Sequence, residues 1–130
     1  MSIMMVFEFE GHPPVEKIKN VLATMGASLE LESSGFSGSF SESNAFFVYS
    51  DYPCLEGIAT DQADPLGWMI GARLVVHCPI STLEESAHEL DRFMAEVTAA
   101  METRFLFSFQ YESIYAVRDH ELVIFKKMIE

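Results

Sequence analysis

The chain has 130 residues, 49% of them hydrophobic and 12% aromatic, with 20 acidic side chains against 8 basic ones for a formal charge of −12. That length suits one domain that buries roughly two thirds of its unfolded surface in a single core, without help from a disulfide or a metal. The hydrophobic share places it among globular rather than disordered chains. The acidic balance argues against direct binding to nucleic acid or to an anionic membrane, where like charges repel, and would draw cationic partners instead. It also keeps a Phe-rich and Met-rich chain soluble.

No apolar run approaches the roughly 20 residues needed to span a bilayer. Met1 to Phe9 has neither the basic flank nor the cleavage site of a signal peptide, so a cytoplasmic location is expected. In a reducing compartment Cys54 and Cys78 read as two small buried hydrophobes, not a bridge or a nucleophile.

Ile3, Met5, Phe7 and Phe9 alternate with Met4, Val6, Glu8 and Glu10, which predicts a strand with one buried face and two carboxylates turned outward. Gly11-His12-Pro13-Pro14 breaks it. Val15, Ile18, Val21, Leu22 and Met25 then form the apolar stripe of a helix that opens at Pro14 and stops at Gly26. Ala27, Leu29 and Leu31 alternate with Ser28, Glu30 and Glu32 in a second strand, apolar inward and acidic outward. Phe36 to Ser41 predicts a third strand and Ala45 to Ser50 a short fourth, apolar on both sides. Asp51 to Leu66 is the one long irregular segment, with four carboxylates, Asp51, Glu56, Asp61 and Asp64. A loop of that length in a compact domain is functional or mobile.

Gly67 to Tyr111 is the best-marked stretch. A strand from Gly67 to Cys78 sets Trp68, Ile70, Ala72, Leu74, Val76 and Cys78 on one face, with Arg73 and His77 on the other. A capping box of Ser81 and Glu84 starts a helix running to about Thr103, with Leu83, Ala87, Leu90, Met94, Val97 and Met101 in one stripe. Phe105, Phe107, Phe109 and Tyr111 mark the returning strand, followed by strands at Ile114 to Val117 and Leu122 to Met128. Trp68 is expected to close the core rather than to anchor the acidic loop. Met5 to Phe40 and Leu74 to Val117 thus share one order of elements, which predicts an α+β fold of two βαββ-like units. Their strands form a mainly antiparallel sheet with both helices on one face and a polar, acidic opposite face.

The chemistry-bearing residues do not assemble into a motif. His77 and Cys78 are strand neighbours and point to opposite faces, so they make no nucleophile and base pair. His12, His88 and His120 have no ligand spacing. Glu30 with Glu32, and Glu8 with Glu10, share sheet faces but lack any pocket signal. A catalytic centre, a metal site and a cofactor are therefore not expected.

Small, acidic, motif-free α+β chains of this kind resemble the bacterial immunity proteins that block toxins of contact-dependent growth inhibition and related systems. The similarity is one of general character and rests on no signature. It implies a protein that neutralises a basic partner, a toxin domain such as a cationic nuclease. Carboxylates would take the places of substrate phosphates and pair with Lys and Arg. The loop carboxylates Asp51, Glu56, Asp61 and Asp64 and the strand carboxylates Glu8, Glu10, Glu30 and Glu32 are the expected contacts. Two other readings stay open: an acidic secretion chaperone, and a small enzyme or ligand-binding domain with a pocket between the sheet and the 51–66 loop, using Arg73 and His77. A homodimer through the edge strand Leu122 to Met128 is compatible with each.

Overall fold

The computed structural model describes residues 1–129. Eight strands make one antiparallel sheet, with two helices packed together on one of its faces. In chain order the elements are β1 (Ser2–Glu10), α1 (Val15–Thr24), β2 (Ser28–Glu32), β3 (Gly35–Ser39), β4 (Phe46–Gly57), β5 (Met69–Pro79), α2 (Leu83–Ala100), β6 (Phe105–Phe109), β7 (Ser113–Arg118) and β8 (Leu122–Ile124). Single 3-10 turns at Asp64–Leu66 and Ile80–Thr82 precede β5 and α2. Across the sheet the order is β2-β3-β4-β5-β1-β6-β7-β8.

The two βαββ-like units hold in chain order, and the sheet uses them in opposite directions. After α1 the chain lands on the far edge as β2 and works inward through β3 and β4 to β5. After α2 it lands directly beside β1 as β6 and works outward through β7 to β8. β1 and β5, each with five consecutive buried residues, are central, and β2, exposed at all five residues, is an edge. The leucines of β2 turn to the helix side as their alternation predicts but stay exposed, because nothing packs beyond an edge strand.

Between sheet and helices lies the main core. Met5, Phe7 and Phe9 of β1, Leu74 and Val76 of β5, and Phe105 and Phe107 of β6 meet Ile18 and Leu22 of α1 and Leu90, Phe93 and Val97 of α2. Both helices are driven by these stripes, at steps of three and four, and not by caps. No side-chain cap closes either N-terminus. The expected Ser81–Glu84 box does not form, since Ser81 lies inside the 3-10 turn and Thr82 instead donates its hydroxyl to the Ser43 carbonyl at 2.7 Å. Gly26 does stop α1 in the left-handed region, at φ 82°. At the other end of α2 the buried Arg118 of β7 donates to the carbonyls of Thr98, Met101 and Thr103, supplying the positive charge that a helix C-terminus favours.

Cys78 lies in this core, where burial pushes its thiol up to about 11 and the nearby Glu89 carboxylate adds to the rise. Cys54 is exposed on β4, contrary to the expectation of burial, because the second half of that strand carries no core face. At pH 8 an alkylating reagent is therefore expected to label Cys54 in the native protein and Cys78 only after unfolding. Peptide mass spectrometry reads this directly, and rapid native labelling of Cys78 would contradict the buried position.

Candidate functional site

The sheet face opposite the helices is not open along its whole length. Beyond Ser50, β4 leaves its regular register with β5, pairing Asp51 with Ala72 but Glu56 with Ile70. On the other side of β5, Phe9 pairs with Ala72 and Glu10 with Ile70, leaving Gly71 unpaired as a bulge. A side chain at Gly71 is impossible, since its Cβ would lie 1.9 Å from the Gly11 carbonyl oxygen. Because a bulge inserts one residue, everything N-terminal to it changes face. Ile70 therefore leaves the helix side, and with Trp68, Ala63 and Leu106 it forms a second small core beneath the 58–68 segment. Trp68 is buried, but as the anchor of the acidic loop. The Arg104 guanidinium lies over its ring at 5.0 Å.

A buried carboxylate ties the loop down. Glu8 has no exposed surface, and it accepts from the amides of Ala59 at 2.9 Å and Thr60 at 3.1 Å, from the Thr60 hydroxyl, and from Arg73 Nε at 3.0 Å. Thr60 has one hydroxyl hydrogen, given to Glu8, so the Ser108 hydroxyl 3.1 Å away donates to the Thr60 oxygen. Arg73 also donates to Glu56 at 2.7 Å and to the Gly57 carbonyl at 3.1 Å, and stacks over Tyr52. These contacts hold the guanidinium further above its ordinary range than burial can offset. Every member of this set is spoken for by the fold, which is the condition under which a buried ion pair is tolerated.

The loop fastened in this way leaves a groove on its outer side, between 61–66 and β7. It measures about 590 Å³, with Ala63, Leu66, Ile114 and Val117 as an apolar floor and Asp61, Glu112 and Lys126 on its rim. Asp61 is held by its own amide donating to the Tyr111 carbonyl at 2.8 Å. That carbonyl belongs to the β6–β7 turn, where Gln110 and Tyr111 both take positive φ, 51° and 63°. Two consecutive non-glycine residues in the left-handed region store strain, and the turn persists because Gln110 also bonds Met4 across β1.

The expected contact carboxylates fall into separate places. Asp61 rims the groove, and Asp64 is exposed in the adjoining 3-10 turn. Glu8 is corrected: it turns away from the helices as its alternation predicts, but the loop covers it completely and no partner can reach it. Glu56 is half-exposed and committed to Arg73, and Glu10 is paired with Arg104 at 2.7 Å. Asp51, Glu30 and Glu32 lie on the β2–β4 side of the sheet, all exposed. Glu112, in the turn between β6 and β7, is a rim residue outside the expected contacts. Nothing local marks it, because the groove it rims exists only once the loop brings Asp61 alongside the β6–β7 turn. Arg73 is enclosed by the latch, whereas His77 is exposed further along β5 and stacks on Phe46 with ring centres 6.3 Å apart.

Few cations remain to neutralise these carboxylates. Of the 8 in the chain, Arg73, Arg92, Arg104 and Lys19 are in ion pairs, while Lys17 and Arg118 donate to main-chain carbonyls. Among the described residues no group of His, Cys, Asp or Glu side chains is arranged to hold a metal ion, and no helix is long and apolar enough to cross a membrane. No protein-family model matches the sequence, and neither a curated protein nor a solved structure shows significant similarity to it.

Proposed function

We propose that this chain is an acidic binding protein that neutralises a basic protein partner in the cytoplasm, as an immunity protein does toward a toxin, and that a cationic nuclease domain is the class of target its charge fits. The groove beside the fastened loop carries this reading. Its apolar floor offers a desolvated seat for one anchor side chain, and Asp61 and Glu112 on the rim face solvent with no ion pair among the described residues. A central apolar anchor within a charged rim is the arrangement that concentrates binding energy in protein interfaces. The surrounding carboxylates add steering toward a positive surface.

The full chain, tagged and recovered from its native host, is expected to retain a basic protein at about 0.1 M salt and to release it toward about 0.5 M, where screening shortens to a few ångströms. Asp61→Lys combined with Glu112→Lys should weaken the complex at least about tenfold, equivalent to 1.4 kcal/mol. Recovery of only neutral or acidic partners, or retention unaffected by the double variant, overturns the proposal.

A further inference from the structure

The two edges of the sheet differ in chemistry, and each has what the other lacks. Edge β2 presents Glu30-Leu31-Glu32, and Leu31 is 75% exposed, more than any other large hydrophobic residue apart from Met1. It carries no proline or bulge, and its charges are glutamates rather than lysines. At the opposite edge, β8 and the segment after it border a concavity of about 740 Å³ lined by Tyr115, Ile124, Phe125, Lys126, Lys127 and Met128. Phe125 is 63% exposed there. Lys126 and Lys127 are the two cations whose side-chain ammonium enters neither an ion pair nor a hydrogen bond among the described residues, although the Lys126 ammonium lies 6.0 Å from the Tyr115 ring centre and its amide donates to the Tyr115 carbonyl.

From this match we propose that the chain associates with further copies of itself head to tail, the Glu30-Leu31-Glu32 edge of one copy seating in the concavity beside β8 of the next. Leu31 packs against Ile124 and Phe125, and the flanking glutamates meet Lys126 and Lys127.

The topology permits it without rearrangement. All neighbouring strands are antiparallel and there are eight of them, so β2 and β8 of one sheet run in opposite directions. A second copy placed edge to edge then continues the antiparallel alternation, with both helix layers on the same side at the junction. Ile124 pairs with the core residue Ala116, and Leu31 with the core residue Phe36, so both point to that helix side. The alternative two-fold contacts are disfavoured: β2 against β2 opposes glutamates, and β8 against β8 opposes lysines.

The charge of −12 on each copy does not forbid the contact. Eight strands at about 4.8 Å separate successive centres by about 38 Å, several times the roughly 8 Å screening length at physiological salt. The local pairs decide the outcome. A sheet twisting by about 20–25° per strand turns roughly 160–200° from one copy to the next, so the contact does not close into a small ring. An unclosed heterologous contact grows into an open chain.

The test is sedimentation equilibrium of the full chain over a concentration series from about 10 μM to about 1 mM. The weight-average mass is expected to climb without a plateau above the 14.6 kDa of one chain. Glu30→Lys/Glu32→Lys and Lys126→Glu/Lys127→Glu should each remain monomeric. All four positions are exposed, and circular dichroism confirms that both variants are folded. Mixing the two variants restores complementary edges and should restore association. A wild-type chain that stays monomeric throughout the series overturns the proposal, as does a plateau at a dimer, or association that both double variants retain. This outcome is independent of any basic partner, since the experiment contains only the one chain.

Discussion

Replacing Arg73 with Met is expected to remove about 3–5 kcal/mol of stability, a large part of the ~5–15 kcal/mol that holds a domain of this size together. Methionine keeps most of the aliphatic stem, so the loss is not a packing loss. What remains is the Glu8 carboxylate, wholly buried, with the Ala59 and Thr60 amides and one hydroxyl but no positive charge. Breaking one member of a buried pair leaves the other uncompensated, and that is the expensive event. Glu56 and the Gly57 carbonyl lose their donor in the same substitution, so the segment 56–60 is released together. Urea unfolding measures the total, and hydrogen exchange of the Ala59 and Thr60 amides shows where it is spent. Adding Glu8→Met to Arg73→Met should return much of the loss, because two apolar side chains of similar size leave no buried charge. A single variant that costs under about 1 kcal/mol would mean that the pair behaves like an exposed salt bridge, against its enclosed position.

This latch shows what could be read from the residues and what could not. The strands and helices were legible because alternation and the three-and-four stripe are local signals, and Ile18, Leu22, Leu90 and Val97 all face the core as their spacing predicts. Alternation in Phe-Glu-Phe also placed Glu8 correctly on the face away from the helices. It is silent on whether that face meets water, which depends on Ala59 and Thr60, some fifty positions further along the chain. The one available signal was a pairing: Glu8 and Arg73 are charges set in the interior of two largely apolar strands, and such charges seek each other when the strands are neighbours. Adjacency of β1 and β5 was not deducible, since the order of strands is set by which edge each helix delivers the chain to. The exchange of faces at Trp68 and Ile70 was equally hidden. Ile-Gly-Ala reads as unbroken alternation, and only the close approach of the Gly11 carbonyl reveals the unpaired residue. The groove inherits both uncertainties, because Asp61 and Glu112 become neighbours only after the bulge and the latch have positioned the loop.

Phe7→Ala is expected to cost a similar 3–5 kcal/mol and to do so by a different route. Phe7 is fully buried at the centre of β1, with ring centres 4.5 Å from Phe107, 5.0 Å from Phe93 and 5.9 Å from Phe105. Truncation forfeits the transfer energy of the ring and the edge and stacking contacts to three neighbours, and opens a cavity that strands paired on both sides cannot close. Phe46→Ala is the control: that ring is about half exposed, with His77 as its one aromatic neighbour, and its loss should stay within about 1 kcal/mol. The two costly substitutions separate the layers of the molecule. Phe7 belongs to the core shared by both helices, and Phe7→Ala should lower the urea midpoint with an unchanged slope while the folded fraction keeps its groove. Arg73 belongs to the opposite face, and Arg73→Met should loosen the groove even where the chain remains folded. Under conditions where both variants are fully native, partner affinity is therefore expected to survive Phe7→Ala and to fall in Arg73→Met. Equal affinities in the two would show that the fastened loop has no part in binding.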